Sequence, residues 1–213
     1  MDNNTINELL GITESYKAPA TLLNILYNKE KRERLFKEFL KFGLPINEEW
    51  FREYFESEHS DRREKKQDFT PSGVIKLLSK LAGNGVKSYD CCSGNGGLII
   101  QKWYDDMTQE SLFTYKPSEH LYLCEELSER AIPFLLFNLA IRGMNAIVIN
   151  CDVISRNCYG VFYVHNEKDD YLGFSNINLL PYTEDVEKEF KVKFVEHRYK
   201  ELIEDKNLFM EVE

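Results

Sequence analysis

The stretch YDCCSGNGGLII, residues 89–100, constrains the fold more than any other part of the sequence. It places an acid ahead of three glycines, and glycine costs backbone entropy unless the chain must turn sharply or approach something closely. The residues up to Asp90 are predicted to end a strand, and an apolar helix face is predicted to begin near Gly96. A strand, a glycine turn and a helix form the ligand-cradling unit of doubly wound α/β folds.

Strand and helix patterns alternate in the sequence after this turn. HLYLCEE and AIVINCD are predicted as the second and third strands, SERAIPFLLFNLAIRG as the helix between them, and VFYVHN as a fourth strand. Such alternation predicts a parallel sheet with right-handed crossovers. We therefore predict an α/β fold with a Rossmann-like sheet.

The sequence on either side of this region has helical patterns. Apolar residues recur at helical spacing in LLNILYNKEKRERLFKEFLKFG and in EEWFREYFES, and a charged helical pattern begins at Thr183. We predict three parts: an N-terminal helical extension over residues 1–64, an α/β domain over residues 65–182, and a C-terminal helical segment over residues 183–213.

Composition limits the partners and the compartment. The net charge of −9 argues against a chain that holds DNA by itself, because neutralised phosphates supply most of the affinity of such proteins. The basic runs at residues 29–34 and 62–66 contain or border acids, which is typical of solvated helix faces. DNA is therefore expected as a partner only if these patches line its approach or another subunit holds it.

The five cysteines form no CxxC pair, which favours reduced thiols over a zinc site or disulfides. The polar N-terminus lacks a signal-peptide pattern, and no run of 18 apolar residues occurs. We therefore expect a cytoplasmic protein with no metal and no membrane partner.

Three acids follow the three predicted parallel strands: Asp90, Glu125 and Asp152. The GxGxxG and GK[ST] patterns of phosphate-binding turns are absent, and an acid ahead of the glycines suits a cationic ligand without a phosphate. S-adenosylmethionine (SAM) is such a ligand, because it carries an ammonium and a sulfonium. Its ribose hydroxyls would donate to the second acid and its adenine amino group to the third. Each acid alone is typical of a solvated turn, but the three together indicate a SAM pocket.

Four segments within residues 65–156 resemble the core of the N6-adenine DNA methyltransferases of the type I restriction-modification class. They are QDFTPSGVIKLLSKL, YDCCSGNGGLII, LYLCEELSE and NLAIRGMNAIVINCDVIS. In that family an aromatic residue followed by Thr-Pro closes over the methionine end of SAM, and Phe69, Thr70 and Pro71 match it.

The family's turn, Asp-Pro-x-Cys-Gly-x-Gly-Gly, aligns without a gap on residues 90–97, and the matching residues are Asp90, Gly94, Gly96 and Gly97. Cys91 replaces the proline, and Ser93 stands in place of the family's cysteine. The resemblance assigns Glu125 to the ribose and Asp152 to the adenine, and it implies SAM as cofactor and DNA methylation as activity.

One family element is absent from the sequence. Such enzymes hold the flipped adenine with Asn/Asp-Pro-Pro-Tyr/Phe, whose oxygens accept from the N6 amine while the ring stacks on the base. The chain has six prolines and no Pro-Pro pair. Asn166, in VFYVHNEKDDY, is the candidate for an atypical amine acceptor. No target-recognition domain is evident, so the chain resembles the short methylase-like proteins of phages or mobile elements.

Three functions stay open. The first is a SAM-dependent DNA adenine-N6 methyltransferase that uses Asn166. The second is a non-catalytic subunit, decoy or regulator of a restriction-modification system that keeps the methyltransferase fold. The third is a methyltransferase for a small molecule or a protein. The Phe69-Thr70-Pro71 segment argues against this third function. The missing Pro-Pro element argues against the first.

Overall fold

The computed structural model describes residues 1–58, 70–83, 87–110 and 114–205. The α-helices within these ranges are α1 (Asn3–Leu10), α2 (Ala18–Leu26), α3 (Lys29–Leu40), α4 (Arg52–Glu58), α5 (Ser72–Ala82), α6 (Gly97–Gln109), α7 (Ile132–Ile141) and α8 (Glu184–Phe190). The strands are β1 (Lys87–Asp90), β2 (Leu121–Glu126), β3 (Ala146–Cys151), β4 (Asn157–His165), β5 (Asn176–Leu179) and β6 (Lys193–Phe194). Among these residues, no helix is both long enough and apolar enough to cross a membrane.

The strands form one mixed sheet in the order β1-β2-β3-β4-β5, and β6 pairs with β4. β1, β2 and β3 are parallel, as predicted. The prediction is wrong for β4, which pairs with β3 in the antiparallel direction. Only residues 152–156 separate these two strands. A parallel crossover needs about a dozen residues or more, so this connection permits only a hairpin.

The glycine turn has the backbone conformation that its composition indicates. Gly94 and Gly96 have φ values of 53° and 95°, in the left-handed region that other residues rarely adopt. A side chain at Gly96 is also excluded by packing, because its Cβ would lie 2.8 Å from Cδ1 of Leu135. The turn therefore lies directly against α7, and α6 begins at the next residue.

The N-terminal helices share an apolar core with the sheet and its helices. The rings of Phe36 and Phe39 on α3 each lie 4.8 Å from that of Phe137 on α7, and Phe51 lies 5.0 Å from the same ring. These buried aromatic contacts hold the segment before α4 beside the glycine turn. The boundaries at residues 64/65 and 182/183 stay predictions.

The C-terminal segment is helical only in part. α8 ends at Phe190 because Lys191 adopts a left-handed conformation with φ of 52°, and the next residues form β6 beside β4. Residues 195–205 contain no further helix, so the predicted helical segment is wrong after Phe190 within the described residues. Its last part, residues 206–213, lies outside them.

Candidate functional site

A cleft of about 670 Å³ lies at the carboxyl ends of β1, β2 and β3. Its walls come from the glycine turn, the residues that follow β2 and β3, the start of α5, and the loop before α4. This volume is in the range of small-molecule and cofactor sites. The carboxyl ends of parallel strands are where open α/β sheets bind their ligands.

Asp90 ends β1 and lines the cleft. Its carboxylate accepts a hydrogen bond from the backbone N–H of Cys92 at 3.2 Å, and its carbonyl accepts one from the Ser93 hydroxyl at 3.0 Å. Burial raises the pKa of Asp90 above its usual value, although the Cys92 N–H offsets part of the effect. The site therefore holds an acid that a cationic ligand group would help to ionise.

Glu126, the last residue of β2, is the second acid in the cleft. Its carboxylate accepts hydrogen bonds from the backbone N–H groups of Gly94 at 2.8 Å and Ser128 at 2.6 Å. Burial raises the pKa of Glu126 in spite of these two donors, and the charge of Asp90 acts in the same direction. Glu126 thus joins the end of β2 to the glycine turn.

Glu125, the predicted ribose acid, has a different environment. Its carboxylate accepts two hydrogen bonds from Arg156, at 2.8 and 2.9 Å, and one from the Tyr89 hydroxyl at 2.7 Å. Successive side chains of a strand point to opposite faces, so Glu125 and Glu126 cannot both face the ligand. The structure places Glu126 at the cleft, whereas Glu125, the predicted residue, pairs with Arg156 and does not line it.

Asp152 follows β3 and lines the cleft at the far end from β1. Its carboxylate accepts hydrogen bonds from the backbone N–H groups of Ile154 at 2.9 Å and Ser155 at 3.3 Å. These hydrogen bonds lower the pKa of Asp152 below its usual value. The neighbouring Ile154 is 93% exposed, which adds an apolar surface to this end of the cleft.

The Phe-Thr-Pro segment is described in part. Thr70 lines the cleft, and its carbonyl accepts a hydrogen bond from Arg52 at 2.9 Å. Pro71 caps α5, where its carbonyl accepts from the N–H groups of Val74 and Ile75. Phe69 lies outside the described residues. The structure therefore brings Thr70 to the same cleft as the acids.

Asn166, the predicted amine acceptor, lies at the other edge of the sheet. It follows β4, which runs away from the cleft, and only 2% of its surface is exposed. Its Nδ2 donates to the carbonyls of Gly143 at 2.9 Å and Asp170 at 2.7 Å, and its Oδ1 accepts from the N–H of Asp170. This position is inconsistent with the predicted role in catalysis, because Asn166 stabilises a turn there.

The sequence did not indicate two further polar residues of the cleft, Glu49 and Asn95. Oε1 of Glu49 accepts from the Phe51 N–H and from Nδ2 of Asn138, both at 2.8 Å. Oε2 of Glu49 and both side-chain polar atoms of Asn95 are buried without a hydrogen-bond partner among the described residues. Burial raises the pKa of Glu49 to about 7. Glu49 belongs to a segment with a helical pattern, so only its tertiary position reveals it.

The site combines carboxylates with backbone N–H groups and contains no cluster of metal ligands within the described residues. Such a surface suits a small cationic ligand that also carries hydroxyl groups, because ionised carboxylates accept strong hydrogen bonds from both.

Comparison with known proteins identifies the family. The model of the N-6 DNA methylase family matches residues 49–171, more than half of the chain. This match begins at Glu49 and includes the three parallel strands with the cleft residues that follow them. No curated protein and no solved structure gives a significant match. The chain therefore belongs to the N-6 DNA methylase family.

Proposed function

We propose that the cleft binds SAM within a Rossmann-like methyltransferase domain. The observation that carries this proposal is the Glu126 carboxylate, which lies beside the glycine turn at the ends of three parallel strands. A ribose can donate both hydroxyls to such a carboxylate. Gly94 lines the cleft and has no side chain, so the backbone there can approach the ligand closely.

The order of the strands supports one orientation of the ligand. The adenine lies near Asp152 beyond β3, the ribose at Glu126 beyond β2, and the amino-acid end over the turn that begins at Asp90. Thr70, which lines the cleft, contacts the methionine end of the ligand in this orientation. The family resemblance gives the same role to Phe69 and Pro71. SAM supplies an electrophilic methyl group on its sulfonium, and the chain's own residues bind and orient it.

The chain's part in DNA methylation is proposed as that of a SAM-binding component of a restriction-modification system. The sequence has no Pro-Pro pair, and the position of Asn166 excludes it from the cleft. β1 pairs only with β2 in the described part of the sheet, and α5 exposes Val74, Leu77, Leu78 and Leu81. A partner polypeptide would supply the groups that hold the adenine and the contacts to DNA. The cytoplasmic location and the phage or mobile-element origin stay predictions.

Titration calorimetry with SAM and with its demethylated product, S-adenosylhomocysteine, tests the first part of this proposal. We expect both ligands to bind to the wild-type protein. An absence of binding at millimolar ligand would contradict the proposal.

Transfer of a tritiated methyl group to DNA that lacks N6 methylation tests the second part. Each lost oxyanion-hole-type contact costs about 2.7–4 kcal/mol of barrier, and two such losses slow a reaction by several decades. The acidic chain is also expected to hold DNA weakly. We therefore expect little or no transfer by the protein alone, and robust transfer would favour the self-sufficient enzyme instead.

A further inference from the structure

We propose that Glu49 and Asn95 form a subsite for a zwitterionic α-amino acid group, which is the methionine end of the ligand. This inference rests on the proposed binding of SAM and adds residues from outside the predicted site. Both residues line the cleft. Glu49 also lies close to the start of α6, since a Cβ added at Gly97 would lie 3.9 Å from the Cβ of Glu49.

One side chain of α7 joins the two residues. Nδ2 of Asn138 donates to Oε1 of Glu49 at 2.8 Å and to the carbonyl of Asn95 at 2.9 Å. Asn138 is itself fully buried, and its Oδ1 accepts from Arg142. The loop before α4 and the glycine turn are therefore held in fixed positions relative to each other, which preorganises the subsite.

The polar atoms that remain unpaired distinguish this corner of the cleft. Asn95 is 1% exposed, and neither its Oδ1 nor its Nδ2 has a partner among the described residues. The same is true of Oε2 of Glu49. Buried polar groups are nearly always paired, and an unpaired one costs free energy that a ligand group would recover.

The nearby cations do not pair with the free carboxylate oxygen. Arg142 directs its donors to the carbonyls of Ile46, Glu48 and Asn138 and to Oδ1 of Asn138. Arg52 donates to the carbonyl of Thr70. The charges of both arginines favour ionised Glu49, but burial outweighs them and raises its pKa to about 7. A cation from the ligand would complete the pairing.

The atoms present define the class of ligand. Oε2 of Glu49 and Oδ1 of Asn95 are acceptors, and an ammonium offers three donors. Nδ2 of Asn95 is a donor, and a carboxylate is its natural acceptor. An α-amino acid group carries both functions on one carbon, so it offers a partner of the right type to each unpaired atom of the subsite.

The test compares two ligands and two variants by calorimetry at pH 8. S-adenosylhomocysteine carries the amino acid group, whereas 5′-methylthioadenosine keeps only the adenine, the ribose and the thioether. Glu49→Gln should lower the affinity for S-adenosylhomocysteine about ten- to hundredfold, as expected for a lost charged hydrogen bond. The affinity for methylthioadenosine should not change. The matched control Glu53→Gln, at an exposed position of α4, should change neither affinity.

Equal effects of Glu49→Gln on both ligands, or no effect on either, would overturn the subsite. Failure of the wild type to bind either ligand would overturn the proposed function together with the subsite. Thermal unfolding verifies that the variant is folded: Glu49→Gln should raise the melting temperature at pH 8, because it removes a buried carboxylate. If that variant does not fold, Asn95→Ala replaces it in the same comparison, with the same preferential loss of S-adenosylhomocysteine expected.

Discussion

The cleft and the polar network beside β5 both contain buried polar atoms but differ in how those atoms are paired. In the network, formed by Asn176, Asn178 and Asp205, the Asp205 carboxylate accepts from both asparagines and from His165. Burial alone would raise the pKa of Asp205, but these three donors together lower it. In the cleft, burial raises the pKa of Asp90, Glu126 and Glu49 in spite of their hydrogen bonds.

This difference separates polar residues that stabilise the fold from those that are available to a ligand. The network satisfies its own charges, so its residues should affect stability and leave binding unchanged. The cleft leaves atoms unpaired at a cost in stability, which is typical of sites that a ligand completes. The two regions should therefore respond differently to substitution.

The largest effect is expected from Glu204→Ala, next to the network. Arg32 is buried and donates two hydrogen bonds to Glu204, although its sequence context indicated a solvated helix face. Removing one partner of a buried ion pair costs about 3–5 kcal/mol. We expect a loss of that size in the free energy of unfolding in urea, and unchanged SAM affinity in protein that remains folded.

The control for this variant is Glu38→Ala, because Glu38 forms an exposed ion pair with Lys41 on α3. Exposed pairs contribute about 0–1 kcal/mol, so this variant should unfold almost as the wild type does. Equal losses in the two variants would show that the burial of the Arg32–Glu204 pair does not matter.

The next effect concerns the adjacent acids of β2. Glu126→Ala should weaken SAM binding by about 1.5–3 kcal/mol, or one to two decades, because a carboxylate that accepts from the ribose is lost. Glu125→Ala should leave the affinity unchanged, since Glu125 pairs with Arg156 outside the cleft. Calorimetry on both variants checks this, and the reverse pattern would restore the assignment to Glu125.

These two glutamates also show what sequence can and cannot predict here. Local patterns in the sequence predict the three parallel strands and the glycine turn. The structure has both, with β1, β2 and β3 parallel and with positive φ at Gly94 and Gly96. The choice between Glu125 and Glu126 depends on which of the two side chains points toward the cleft. Two adjacent glutamates in a sequence do not show this. The direction of β4 was available from the sequence, because the predicted strands AIVINCD and VFYVHN leave only residues 153–160 between them, too few for a parallel crossover.

Other features depend on contacts between distant segments. Glu49 reaches the cleft because aromatic packing holds its loop against α7, and no local pattern encodes that position. Asn166 has the residue type of an amine acceptor, but the hairpin carries it to the opposite edge. A residue type alone therefore does not locate a catalytic group when the strand direction is unknown.

Asn166→Ala should act on stability alone. The variant loses hydrogen bonds to Gly143 and Asp170 in a buried turn, at a cost of about 1–3 kcal/mol. The urea midpoint should fall while SAM affinity, measured by calorimetry, stays the same. A loss of methyl transfer at unchanged stability would instead support the catalytic role predicted from sequence.

The smallest effect is expected from pH. Glu49 must be ionised to bind the ammonium and Glu126 to bind the ribose, Asp90 lies beside both groups, and the pKa values of all three acids are raised in the free protein. SAM affinity should therefore fall as the pH decreases from 8 to 5, and calorimetry of Glu126→Gln should show a weaker dependence. An affinity that rises on acidification would contradict the ionised state of these acids.

The raised pKa values in the cleft and the lowered pKa of Asp205 make the stability of the free protein depend on pH in opposite directions. For Asp90 and Glu126 the folded state binds more protons than the unfolded state, so their contribution is fully present below the unfolded pKa and is lost as pH rises through the folded pKa. For Asp205 the contribution is present above the unfolded pKa and is lost as pH falls through the lowered folded pKa.

Hydrogen exchange with and without SAM tests the central claim most directly, because it locates the ligand on the chain. We predict that saturating SAM slows the exchange of backbone amides in residues 92–98, 126–128 and 152–154, the segments that contribute to the cleft. Amides of residues 176–179, beside the β5 network, should exchange at the same rate in both states. Protection beside β5 without protection around the cleft, or no protection at saturating SAM, would contradict the account.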